Sequence, residues 1–161
     1  MMDSESKATR IPKAMVFIDG PNIVTAAKSV NLQKINFQKL ISELTKDTTL
    51  VGCKFYGGDQ DTLNSFYAIL EKDGIRVERV APSKSVDGRL ILQSIISGVR
   101  NEYDIAVLAS GDRDFQPLIE ELKKIDKVVW VASFNHTVAP ALKMLANKFI
   151  SLDKIKTKIS L

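Results

Sequence analysis

The chain has 161 residues, 45% of them hydrophobic, and a formal net charge of +4. That is the size of one ordinary domain with enough apolar side chains for a sizeable core. No apolar run approaches the ~20 residues that span a bilayer. The polar opening from Met1 to Lys13 has no signal-peptide core, and the single cysteine, Cys53, excludes an internal disulfide; a cytoplasmic protein is expected.

Residues 1–13 read as a disordered leader. Ala14–Ile18 (AMVFI) is a continuous apolar run, as expected for a strand buried on both faces. Asp19-Gly20-Pro21-Asn22 ends it with a turn and helix-start signal. Phe37, Leu40, Ile41 and Leu44 lie at helical spacing. Leu50–Tyr56 is the next strand, stopped by Gly57-Gly58, and it carries Cys53 as a buried, inert thiol. Leu63, Phe66, Tyr67 and Leu70 mark a second helix, halted near Gly74. Ile75–Val80 alternates apolar and charged residues, as a strand near a sheet edge would. A long helix runs from Val86 to Arg100, with Leu90, Ile91, Ile95 and Val99 on one face. Ile105–Ala109 (IAVLA) is another wholly apolar strand, followed by Ser110-Gly111-Asp112-Arg113-Asp114 and a helix bearing Leu118, Ile119 and Leu122. Val128–Val131 is a strand, Thr137 to about Asn147 a helix, and Phe149-Ile150 a short closing strand. Residues 153–161 form a loose basic tail.

Strands alternating with helices predict a three-layer α/β/α domain over 14–152, with a mostly parallel sheet. Right-handed crossovers leave few topologies. The two most apolar strands belong in the middle, which an order of 3-2-1-4-5 achieves. The winding then reverses between strands 1 and 4, where open α/β sheets place their sites.

Asp19 follows the first central strand, and Asp112 and Asp114 follow the other. Asp87, at the start of the long helix, can reach the same crevice from the side. Carboxylates repel one another, and a hard divalent cation bound through oxygen is a reason to gather them. With one His and one Cys in the chain, zinc is disfavoured and Mg²⁺ or Mn²⁺ fits better. Such ions activate water and neutralise phosphoryl charge. Taken singly, each acid has a plainer reading: an Asx-type turn for Asp19, helix-start positions for Asp87 and Asp114. Their convergence on one end of the sheet favours the site.

Asn22 is read as a ligand or substrate contact. Ser110 either holds a metal-bound water or holds the turn. Lys84, Arg89 and Arg113 either contact phosphates or offset the acids. His136, the sole histidine, lies in a loop at the same end and is more simply a solvated residue than an acid–base group. Glu102 and Asp104 read as a solvated approach to a strand; Phe55, Tyr56, Phe66, Tyr67 and Trp130 read as packing residues. The net positive charge (sequence pI about 9.1) suits either a polyanionic partner or an ordinary lysine-rich surface.

Three motifs in order carry a resemblance: Phe17-Ile18-Asp19-Gly20-Pro21-Asn22-Ile23, Lys84-Ser85-Val86-Asp87, and Ser110-Gly111-Asp112-Arg113-Asp114-Phe115-Gln116-Pro117-Leu118. Leu145-Ala146-Asn147-Lys148-Phe149-Ile150 resembles a closing helix-and-strand signature. Over about Ala14 to Leu152 the chain resembles the NYN domains of the PIN-like nuclease superfamily, in particular their LabA-like branch. The resemblance implies the same doubly wound fold and Mg²⁺- or Mn²⁺-dependent ribonuclease activity. By motif, Asp19, Asp87, Asp112 and Asp114 match metal-site acids, and Asn22 and Ser110 match supporting polar positions. Members often carry a further Asp one and a half turns after Asp87, where this chain has Gln93, which bears on a second metal.

The leading expectation is therefore a metal-dependent ribonuclease acting on single-stranded or structured RNA. The alternatives are a non-catalytic RNA- or protein-binding module of the same fold, and a phosphatase or DNA-directed nuclease using the same acids. A homodimer is compatible with the resemblance.

Overall fold

The central strand is buried on both sides, as its unbroken apolar run requires. In the computed structural model, which describes residues 10–161, β1 (Lys13–Asp19) sends Ala14, Val16 and Ile18 into one apolar layer and Met15 and Phe17 into the other. β4 (Ile105–Ala109) alternates in the same way and pairs with it, Ile18 opposite Ala109. Four more parallel strands complete the sheet: β2 (Thr49–Gly58), β3 (Arg76–Val80), β5 (Val128–Ser133) and β6 (Lys148–Ser151). Their order is β3-β2-β1-β4-β5-β6, the expected arrangement extended by the short closing strand. β3 is an edge, as its alternation predicts.

Three helices, α1 (Gly20–Ser29), α2 (Phe37–Leu44) and α3 (Asn64–Lys72), cover the first face. α4 (Val86–Val99), α5 (Gln116–Lys124) and α6 (Pro140–Leu145) contribute to the layer on the other. The winding therefore reverses between β1 and β4, and the segments after these two strands diverge over a crevice. The sequence patterns of α2 and α5 are amphipathic, and both bury the predicted residues. Among the described residues no helix is long and apolar enough to cross a membrane.

Four expectations change. α4 buries its expected face only in part: Leu90 is buried and Ile91 and Ile95 pack against the core, but Val99 is 67% exposed, and Ser94, Ser97 and Gly98 are buried instead. The small residues let the helix backbone approach Tyr103, whose hydroxyl donates to the Ser94 carbonyl at 2.7 Å. α6 is shorter than the span from Thr137 to Asn147, because Pro140 forces Ala139 into an extended conformation (ψ 131°) that a helix cannot pass through. The C-terminal tail is not loose. Ile159 in α7 (Lys156–Ile159) is fully buried, its carbonyl accepts from the Asn36 N–H at 2.8 Å, and Ser160 bridges Ile35. Asp104 is no free solvated acid: it accepts from Arg10 and from the Lys13 N–H at 2.8 Å. The leader expected over 1–13 lies largely outside the described residues, and β1 takes up its last position.

Candidate metal centre

Asp19 ends β1 and caps α1, accepting from the Asn22 N–H. It is 3% exposed. Gly20 follows because nothing larger fits: a Cβ there would lie 2.5 Å from the Phe55 ring and 2.6 Å from the Tyr56 carbonyl oxygen. The first turn of α1 is thereby pressed against the end of β2, and Asp19 is held over the β1–β4 crevice.

Ser110 leaves β4 beside it. The Ser110 hydroxyl donates to Asp19 Oδ2 at 2.9 Å and accepts from the Asp112 N–H at 3.1 Å. The serine is fully buried, which decides its alternatives: it holds the turn and the carboxylate and faces no solvent. Asn22 is likewise a brace, its Oδ1 accepting from the Gly111 N–H at 2.9 Å, though it also lines the cleft. Gly111 is a second close approach. A Cβ would lie 2.7 Å from Ser133 Oγ and 2.9 Å from Val138 Cα, so glycine alone lets the 110–112 turn nest against the loop after β5.

Asp87 arrives from the first turn of α4, which Ser85 caps through the Gly88 N–H. One carboxylate oxygen from each of Asp19, Asp87 and Asp112 lies within 4.8 Å of the others. Asp114 stands outside this group. It sits in a 3₁₀ turn (Arg113–Phe115), its N–H donating to Asp112 Oδ1 at 2.9 Å, with its own side chain exposed. It is therefore not among the three acids within 4.8 Å, though its charge reaches Asp87.

The electrostatics follow from this crowding. Burial pushes the Asp19 carboxyl up to about 6; the Ser110 hydrogen bond opposes the rise, and the Asp87 charge adds to it. Asp87 is also raised, by burial first and then by Asp112 and Asp114. Among the described residues, no lysine or arginine charge opposes the rise at Asp19 or Asp87. The donor set fits a divalent cation: all three donors are hard carboxylate oxygens, and they lie within 4.8 Å of one another.

The cleft around the acids measures about 630 Å³ and runs along α1 past Thr25 and Ser29 to Thr137. Sequence reasoning missed these hydroxyls. Their signal was present, since Asn22, Thr25, Ala26 and Ser29 recur at helical spacing as one small, polar flank. His136 reaches the far end, its Nε2 lying 2.9 Å from Ser29 Oγ. Arg89 does not line the cleft and instead faces Glu78 at 3.7 Å. Lys84 and Arg113 are exposed, each next in sequence to a lining residue. Gln93 is turned away entirely. Its Oε1 accepts from the Tyr56 hydroxyl at 2.7 Å, and it lines a separate hollow with Cys53 and Met15. The missing negative charge at this position therefore does not subtract a donor from the cleft.

Comparison with known proteins agrees with the fold. A family model for the NYN domain matches residues 13–153. A solved structure of a protein of unknown function from Vibrio parahaemolyticus RIMD 2210633 superposes with a TM-score of 0.78 at 22% identity, covering 99% of this chain and 100% of that one. No curated protein sequence matches the chain. With a family match over nearly the whole folded part and the PIN-like sheet order beneath it, the chain belongs to the NYN domain family, within the PIN-like nucleases.

Proposed function

We propose that this protein is a Mg²⁺- or Mn²⁺-dependent ribonuclease that hydrolyses RNA phosphodiester bonds at Asp19, Asp87 and Asp112. The observation that carries the reading is the convergence of three carboxylates from three separate elements, within 4.8 Å, at the reversal of the sheet. A structural role alone gives no reason to hold Asp19 buried against two like charges.

A divalent cation, when bound, neutralises phosphoryl charge and acidifies water. The protein's own part is positioning. Ser110 fixes the Asp19 carboxylate through its hydroxyl and the Asp112 backbone through its oxygen, so two donors from different strands share one anchor. Asp87 closes the set from α4 and orients water at its free edge. Asp114 adds negative charge at the mouth without entering the set. Lys84 and Arg113 flank the mouth as phosphate contacts, and the Thr25 hydroxyl offers a donor to the strand beyond, whereas the Ser29 hydroxyl already donates to the Ala26 carbonyl.

The test is cleavage of a panel of RNAs by highly purified protein with Mg²⁺ or Mn²⁺, beside DNA and a mononucleotide. EDTA and Asp112→Asn should each abolish cutting, by at least about a hundredfold. Equal action on DNA or release of phosphate from the mononucleotide would move the assignment to a DNA nuclease or phosphatase. No cutting of any substrate would leave a binding module.

A further inference from the structure

α1 separates two hollows. Its flank of Asn22, Thr25 and Ser29 lines the acidic cleft. The flank of Gly20, Val24 and Ala27 lines a second hollow of about 730 Å³. Pro21, exposed in the first turn, borders both. The two spaces therefore meet at the carboxyl end of β1, two residues from Asp19.

The second hollow differs from the first in chemistry. Its floor is aromatic: Phe66 is partly exposed and rests on the buried Phe55 and Tyr67, with the Phe55 and Phe66 rings edge-to-face at 5.6 Å. Leu63, at the end of the 3₁₀ turn before α3, and Ile69 of α3 form one wall, and Ile69 is 60% exposed. Gln60 and Lys28 are exposed polar residues of its lining, which also includes Gln33, Lys34, Asn36 and Gln38. An apolar, aromatic recess with an amide at its lip suits a flat heterocycle with polar edges. Its volume is in the range of small-ligand sites, and a lysine at the rim suits a polyanion.

We propose that this hollow receives a nucleobase of the RNA strand whose phosphate lies at the carboxylates, the backbone crossing over Pro21. The inference rests on the acidic cleft being a phosphodiester site. Continuity through Pro21 distinguishes a base from an unrelated apolar ligand, because a nucleotide is the ligand that needs a charged site and an aromatic recess side by side. The recess is open to any base, since stacking and apolar contact dominate it; Gln60 is the residue placed to discriminate among them.

The experiment measures equilibrium binding in Ca²⁺, which offsets the carboxylate charge, with the probe shown intact afterwards by gel electrophoresis. The probes are a fluorescein-labelled ribotetranucleotide and the same tetramer with abasic riboses, with wild type and the Ile69→Glu and Gln60→Ala variants. Both substitutions are at exposed positions, and circular dichroism should show the fold intact. Wild type should prefer the base-bearing tetramer by about tenfold. Ile69→Glu should erase that preference, and Gln60→Ala should change the ranking among the four bases. A 2-aminopurine tetramer should be quenched by wild type and not by Ile69→Glu. Equal affinity of wild type for both tetramers, or no binding of either, overturns the inference. So does an apolar dye that fills the recess and is not displaced by the base-bearing tetramer. Discrimination that disappears in Ile69→Glu, in a protein that cuts no RNA, sustains the base site and removes the ribonuclease reading. Metal-dependent cutting without discrimination does the reverse.

Discussion

Two aspartates at opposite ends of the central strands have opposite surroundings. Asp104, just before β4, accepts from the Arg10 guanidinium at 3.1 Å and from the Lys13 N–H at 2.8 Å. Asp19, at the end of β1, is more deeply buried and faces Asp87 and Asp112 with a serine as its one side-chain donor. The first arrangement ties the start of the domain to its neighbour strand. The second is costly unless something outside the chain neutralises it. One end of this sheet pairs its acid with a cation, and the other gathers three acids together.

Asp19→Asn tests that contrast most strongly. A carboxyl raised from 3.8 to about 6 by folding burdens the folded state once it ionises. The burden is absent below about pH 4, grows through the interval to about pH 6, and is complete above it. In EDTA, wild-type stability should therefore fall across that interval by on the order of 3 kcal/mol from this group. Asn cannot ionise, so the variant should be more stable than wild type at pH 7.5 by a similar amount and lose Mn²⁺ binding by calorimetry. A variant that is less stable than wild type at that pH would mean that the Asp19 charge is satisfied within the chain.

Gly111→Ala comes next. The added methyl meets Ser133 Oγ and the Val138 backbone, and such overpacking costs about 1–3 kcal/mol. Thermal unfolding should report the loss, and Mn²⁺ affinity should weaken with it, because the 110–112 turn is the part displaced. Asp104→Ala should cost about 1 kcal/mol in denaturant unfolding and leave Mn²⁺ affinity and RNA cleavage unchanged; a change in either would break the division between the two ends. The smallest effect is expected for Gln93→Asp. Its side chain is bonded to Tyr56 on the far side of α4 from the cleft, so Mn²⁺ affinity should stay within about twofold of wild type, a difference of about 0.4 kcal/mol.

Much of this site was legible before any fold was known. Asp19, Asp112 and Asp114 were placed by the two apolar strands they follow, since an unbroken apolar run marks a central strand and a central pair marks the crevice. What failed to read through was direction. Asp112 and Asp114 are two residues apart, and only the 3₁₀ turn between β4 and α5 separates one into the cleft and the other to solvent. Gln93 is one and a half turns from Asp87, a spacing that by helical geometry carries it to another face, yet which of those faces meets the cleft depends on how α4 lies against the sheet. Ser110 was evenly balanced because burial, which decides it, is set by the neighbouring strand.

The sequence by itself determined the element order, the burial of β1 and β4 on both faces, and the gathering of acids at one end. These follow from periodicity and punctuation within each segment. Tertiary structure decided which three acids meet, the bracing of Asp19 through Ser110, and the two hollows on either side of α1. Those depend on how closely elements approach, and at Gly20 and Gly111 that approach is permitted by the absence of a single carbon atom, a contact between residues far apart in the chain that no local pattern encodes.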